Sequence, residues 1–304
     1  MRTLKRILVG TDLSPISEAP LRSAAHLARR YQVPIYLVAV VSPPPVYRRA
    51  LAPLQGTSAT VEEMTANARA RLETLARSSL LAGLRVEVDA RTGAPFSELI
   101  DAARACQASL IAVGTRKRHG LEERLLGSTA ERVIRNSPVP VLVTPVELSA
   151  EPSCLVAPVD FSSAARSAAE EAIALARRWI ARLIFLHVIE PIAQTYLWPL
   201  DPGAVEIFPA EPADLGRDWE EFLAPLPLDG VRWEHRTLKG DPSTLVHDTA
   251  RDEGADLLVI GTHGRSGLAH VLLGSVAERI VRTTVKPVLT VRPDTDQLAL
   301  PPAG

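Results

Sequence analysis

Residues 261–275 read GTHGRSGLAHVLLGS, with Gly261, Gly264, Gly267 and Gly274 standing between an apolar run, ADLLVI, and the helix-like text VAERIVR. A glycine-rich strand-to-helix loop lets backbone N–H groups approach phosphate oxygens without interference from Cβ, and the following helix N-terminus adds the positive end of its dipole. Gly261, Gly264 and the pair Gly274-Ser275 fit that chemistry, which is binding rather than bond breaking. Neither GxxxxGK[ST] nor GxGxxG after the first strand is present, which excludes the P-loop and the dehydrogenase fingerprint. Other constellations are weaker. His263 and His270 share the loop but have no third metal ligand at a sensible spacing. His187 follows an apolar strand and reads as a satisfied core residue. His247-Asp248 has no GxSxG partner to complete a triad. Nothing reads as a catalytic centre.

Residues 114–128, GTRKRHGLEERLLGS, are nearly the same text, with Lys117 at the place of Gly264 and His119 at that of Ser266. At an offset of 147, residues 93–144 align with 240–291 without a gap, and 23 of those 52 positions are identical. At an offset of 148, ILVGTDLS meets LVAPVDFS, pairing Asp12 with Asp160 and Ser14 with Ser162. This is a tandem duplication. It predicts two domains, 1–148 and 149–304, joined near the polar, proline-bearing PVELSAEPS and closed by a tail from about residue 293.

The elements that must position these residues alternate. Each half offers an apolar run (Ile7–Gly10; Leu155–Val159), an alanine-rich helix (about 15–31; about 163–179) and a second apolar run (Ile35–Val41; Leu183–Ile189). A variable helix follows (about 60–82, with capping-box spacing at Thr60 and Glu63; about 214–224). A third strand leads to Gly93 or Gly240, and a fourth, after another helix, ends at Gly114 or Gly261. A last helix and strand close each half. Such alternation argues for parallel α/β units, and continuous apolar strands suit a sheet covered on both faces. Ligands then bind beyond the strands' carboxyl ends, where Asp160, His187-Val188, Gly240 and the Gly261 loop converge.

With 34 Lys and Arg against 35 Asp and Glu, the chain carries no footprint for nucleic acid or an anionic membrane. No apolar run approaches the roughly 20 residues of a membrane span, and the N-terminus has no signal-peptide pattern, so the cytoplasm is the expected location.

The spacing Gly261-x2-Gly264-x9-Gly274-Ser275, with Asp160 after the first strand and LHVIE ending the second, resembles the universal stress protein family over nearly the whole chain, twice. The resemblance implies an α/β fold of two tandem parallel-sheet αβα sandwiches, adenine-nucleotide alpha-hydrolase-like and Rossmann-like. They would pack about a pseudo-twofold axis, where the final strands Val139–Thr144 and Pro287–Val291 meet. Nucleotide-binding members carry ATP at this edge, so ATP is the implied cofactor, with Mg left open. Pro158, Val159 and Asp160 would line the adenosine pocket, Val188 would meet adenine through its backbone, and Gly261, His263, Gly264, Arg265, Gly274, Ser275 and Val276 would surround ribose and phosphates. The expectation is an ATP-binding stress-response module. A slow ATP hydrolase and an interaction protein with vestigial sites are the alternatives, and protein partners and a homodimer stay open. No catalytic or metal residue is assigned.

Plainer roles compete. Ser275-x-x-Glu278 and Ser128-x-x-Glu131 have capping-box spacing, and Asp160 or Ser162 can cap a helix. Lys117 places a Cβ where a positive φ is expected, and its side chain either fills the phosphate space or supplies a cation to it; the steric reading is favoured and predicts an empty first site. The Pro-rich segments 42–57 and 190–213, the latter with Tyr196, Trp198 and Phe208, read either as a lid or as self-packed loops. Cys106 and Cys154, one per half, make no disulfide framework. Thiol titration of the unfolded, unreduced protein is expected to find both; fewer would contradict this.

Overall fold

The computed structural model describes residues 2–14, 17–42, 57–117, 124–190, 214–262, 273–293 and 298–299. The chain divides into two compact units, one built on residues up to Ala150 together with Val285–Thr290 and Asp294–Gly304, the other on Glu151–Thr284 with Val291–Pro293. The first runs β1 (Ile7–Thr11), α1 (Glu18–Tyr31), β2 (Ile35–Val41), α2 (Thr57–Ala76), β3 (Val86–Thr92), α3 (Pro95–Ala105), β4 (Leu110–Gly114), α4 (Ser128–Asn136) and β5 (Val141–Thr144). The second runs β6 (Cys154–Pro158), α5 (Ser163–Trp179), β7 (Arg182–Ile189), α6 (Leu215–Leu223), β8 (Arg232–Lys239), α7 (Pro242–Asp252), β9 (Leu257–Gly261) and α8 (Ser275–Thr283), and β10 (Val288–Val291) closes the series.

Hydrogen bonds order the first unit's parallel strands β3-β2-β1-β4-β5. Segment 285–290, packed as part of this unit, lays Val288–Thr290 antiparallel along β5 and covers its edge. The second unit repeats the order β8-β7-β6-β9. In each unit the chain steps outward from its first strand, then returns to the other side. The first and fourth strands therefore flank a switch point, where an open α/β sheet offers a crevice.

Alanine sets the distance between layers. Ala24, Ala25 and Ala28 of α1 and Ala168, Ala169 and Ala172 of α5 are fully buried, and β4 and β9 are buried except at their terminal glycines. Cys106 and Cys154 are free thiols, and burial pushes both pKa values up. Among the described residues no helix is long and apolar enough to cross a membrane.

Two helix starts differ from expectation. Helix α1 begins at Glu18 rather than about 15. The Thr60–Glu63 box does not start α2, because the helix already begins at Thr57. It ends at Ala76, and a 3₁₀ turn at Ser79–Leu81 follows.

Gly240 and Gly93 end the third strands at φ +150° and +152°, a conformation only glycine takes readily. The next residue distinguishes the units. Asp241 caps α7: its Oδ1 accepts bonds from Ser243 Oγ (2.6 Å), Thr244 N (2.9 Å) and Thr244 Oγ1 (2.9 Å), and its Oδ2 accepts one from Arg279 Nη1 (2.6 Å). The Ser243 bond, with the others, holds its pKa down at about 2. The equivalent Ala94 has the same extended backbone and no side-chain cap, and Arg132 lies over the Phe96 ring instead (5.0 Å). Asp241→Ala is expected to cost about 1 kcal/mol, the usual worth of an N-cap. The carboxyl titrates near pH 2 when folded and near 3.8 otherwise. The wild type's advantage is therefore complete above about pH 4 and lost as pH falls toward 2. Urea denaturation of both proteins across that range checks it; curves that stay a constant distance apart would contradict it.

Candidate functional site

In the second unit the crevice begins where β7 outruns β6. The two strands pair from Arg182↔Cys154 to Leu186↔Pro158, and β6 ends there on a proline with no N–H to continue the ladder. β7 continues to Ile189, paired only with β8. Leu186 O accepts from Val159 N (2.8 Å) and so faces β6, whereas Ile189 O accepts from Gly240 N (3.0 Å) and faces β8. By the two-residue period of a strand, the N–H and C=O of Val188 face the β6 side, beyond the point where β6 stops. A donor and an acceptor thus sit side by side at the switch point, the pattern that an adenine edge complements with its amino group and ring nitrogen.

The turn after β6 is fixed from both sides. Val159 O accepts from His187 Nδ1 (2.7 Å), so His187 is satisfied, as its sequence context suggests. Its ring packs 4.5 Å from Phe161, which meets Trp219 and Phe222 edge-on at 5.1 and 5.8 Å. Asp160 Oδ1 accepts from Ser162 N (3.0 Å), and Ser162 Oγ accepts from Ala165 N (3.1 Å). Ser162 is therefore the cap of α5, and Asp160 braces the turn before it. Between them Phe161 takes φ +61°, as Leu13 takes +60° at the equivalent place. A left-handed non-glycine residue repeated at the carboxyl edge of both sheets stores strain, on the order of 1–3 kcal/mol.

The glycines separate by purpose. A Cβ on Gly261 would lie 2.7 Å from the carbonyl carbon and oxygen of Ala164, so this glycine lets β9 pass against the first turn of α5. Gly274 has φ −57° and ψ 143°, open to any residue, so its backbone conformation does not require glycine. It is the N-cap of α8 and offers no side chain to the first-turn N–H groups. Ser275 is not that cap, contrary to the capping-box reading: it occupies the first helical position with an exposed side chain, as Ser128 does in α4. Val276 follows it, half-buried. Gly274 N donates to Thr262 O (2.9 Å), which closes the loop at its base. His263, Gly264, Arg265, Ser266 and His270 lie outside the described residues, as do loops 43–56 and 191–213.

In the first unit part of the corresponding loop is described. Arg116–Lys117 pairs antiparallel with Arg124–Leu125, Lys117 opposite Arg124. Lys117 is thus in a short strand rather than a left-handed conformation, and the backbone strain expected of it is absent. His247 is also accounted for: Nε2 lies 2.8 Å from Thr283 Oγ1, and burial lowers its pKa. Among the described residues no cluster of three or more His, Cys, Asp or Glu forms a metal site.

The family model described as the universal stress protein family matches residues 3–145 and again 155–292. The chain belongs to this family. It is 30% identical over 301 residues to a universal stress protein of Mycolicibacterium smegmatis, covering 94% of this chain and 97% of that one. A Mycobacterium tuberculosis universal stress protein is 28% identical over 296 residues, covering 94% and 96%. The crystal structure of an Archaeoglobus fulgidus universal stress protein shares the fold, with a TM-score of 0.65 at 23% identity, covering 95% of this chain and 97% of its own.

Within this universal stress protein the structure assembles Pro158, Val159, Asp160, Val188, Gly261, Gly274, Ser275 and Val276 along the carboxyl edge of one sheet. Sequence reading missed what holds them: Thr262, whose carbonyl anchors Gly274, and Trp219, whose indole donates to Thr237 Oγ1 (3.1 Å) and backs the Phe161–His187 pair. Trp219 sits in the helix least alike between the halves, so the repeat gave no pointer to it. Gly261→Ala is expected to lower stability by about 1–3 kcal/mol through overpacking against Ala164. A melting temperature and urea midpoint equal to the wild type's would refute that close approach.

Proposed function

We propose that the second domain, 149–304, binds ATP at this edge, and that the protein is a cytoplasmic stress-response module whose nucleotide state is read by protein partners. The start of α8, which has no side-chain cap, is tied through Gly274 to Thr262 and shares an edge with the Val188 backbone beyond the end of β6, carries the proposal. One group suits a nucleobase and the other suits phosphate, whose negative charge a helix N-terminus stabilises. The glycine text 261–275 and the ATP implied by the family resemblance support the same reading. His263, Gly264 and Arg265 are assigned to ribose and phosphates by that resemblance. The first domain, 1–148, keeps the frame but carries Lys117, in a short ladder opposite Arg124, at the sequence position of Gly264, and is proposed not to hold ATP.

Calorimetry is expected to give one ATP per chain for the wild type and none for Gly264→Lys. Two ATP per chain, or undiminished binding after Gly264→Lys, would overturn the proposal.

A further inference from the structure

Right-handed connections place α1 and α2, which carry the chain outward from β1 to β3, on one face of the first sheet, and α3 and α4 on the other. The second unit has α5 and α6 on the matching face, and rings fill the space between them. Phe161 meets Trp219 and Phe222 there, both of them buried. Arg166 lies over the Phe222 ring (5.1 Å) and donates to the Phe222 carbonyl from Nη1 (3.0 Å). The first unit keeps the frame and loses the rings. Leu13 stands at the place of Phe161 and Glu18 at that of Arg166, and α2 contains no aromatic residue. What remains is a cleft of about 610 Å³ between α1, α2 and the 3₁₀ turn, with Leu13, Leu21, Leu75 and Leu80 in its wall. The turn after β1 separates it from the switch-point crevice, which borders α3 and α4.

We infer that this cleft is a ligand site in its own right, which takes a neutral aromatic molecule whose ring occupies the place that Phe161, Trp219 and Phe222 fill in the other copy. Charge and hydrogen bonding set the class. Glu18 is held by Arg22, whose Nε donates to Oε1 (3.0 Å). Asp12, just behind the wall, accepts from Ser14 N (3.0 Å) and from the hydroxyls of Ser14 and Ser17, so those two hydroxyls are already engaged as donors. Arg71 Nη2 donates to Leu13 O (3.0 Å), and among the described residues Arg71 has no carboxylate partner. Arg22 and Arg71 thus balance Asp12 and Glu18, and a charged ligand meets no net attraction. The Arg71 guanidinium, with five N–H donors, has some left for one acceptor on the ligand. The leucines give a ring its apolar bed, and a guanidinium lies over a ring here as Arg166 does in the second unit. The volume falls within the roughly 300–1,000 Å³ of ordinary ligand sites. None of this rests on the ATP proposal, which concerns the other unit.

Coumarin, a neutral fused ring with one carbonyl, titrated calorimetrically into the full-length protein with and without excess ATP, tests it. One coumarin per chain is expected under both conditions. Leu13→Phe puts into the cleft the ring that Phe161 supplies, at a backbone conformation that Phe161 already takes (φ +61° against +60°). It should fold as the wild type does and weaken coumarin binding about tenfold or more, because the added ring fills the space. Arg71→Gln should weaken binding about fivefold or more through loss of a charged donor. Octahydrocoumarin, with the same outline and saturated rings, should bind roughly fivefold more weakly, since it has no π face for the guanidinium. Absence of coumarin binding, affinity within twofold of the wild type after either substitution, equal binding of the saturated analogue, or displacement of coumarin by ATP would overturn the inference. The two readings fail separately. A wild type that binds coumarin in this way but takes no ATP refutes only the second-unit proposal. One ATP per chain without such coumarin binding refutes only this one.

Discussion

A parallel strand that outruns its neighbour leaves peptide groups facing a space where no strand continues, and buried peptide groups must be paired. Both units have this arrangement at the same place. β7 extends past Pro158 and β2 past Thr11, and in each case the next carbonyl along, of Ile189 or Val41, is already held by Gly240 or Gly93. Among the described residues no strand pairs with Val188 or Val40 on that side, which follows from strand register. The other features of the site lie around that edge: the braced turn after the first strand, the close pass of the fourth strand, and the helix start without a side-chain cap.

Duplication kept the frame and varied what fills it. The left-handed residue after the first strand survives as Leu13 and Phe161, two side chains poorly suited to it. Its retention in both copies fits a turn whose shape matters more than its cost. Around Phe161 the second unit built an aromatic cluster with His187, Trp219 and Phe222, and His187 thereby fixes the Val159 carbonyl. The first unit has Ala39 at the place of His187 and no such clamp. The Asp241–Arg279 pair, which ties the starts of α7 and α8 together, gives way to Arg132 over Phe96. These differences lie at the carboxyl edge, where the two copies diverge without a change in strand order.

Much of this was legible in the sequence. The repeat exposed the two units, apolar runs marked the strands, and Asp160, Val188 and Gly274 fell on the right edge because parallel topology sends strand ends there. The glycines were harder to read. Text alone cannot separate a glycine that avoids a backbone 2.7 Å away, as at Gly261, from one that leaves a helix start uncovered, as at Gly274. Ser275 looked like a cap because the capping pattern has no way to show that the cap lies one residue earlier. Lys117 was expected to be strained because its counterpart is glycine, but a local ladder with Arg124 gives it ordinary extended backbone. Among the described residues the Thr115 hydroxyl has no hydrogen-bond partner, and nothing in the sequence marks it, since Thr262 stands at the same place in the other copy.

The central claim is that the second unit is a preorganised adenine-nucleotide site. The most direct measurement is mass spectrometry of the small molecules released when the protein, purified without added nucleotide, is denatured. The account predicts close to one adenine nucleotide per chain, carrying phosphates. Release of no nucleotide, together with no ATP uptake when the stripped protein is dialysed against it, would contradict the account.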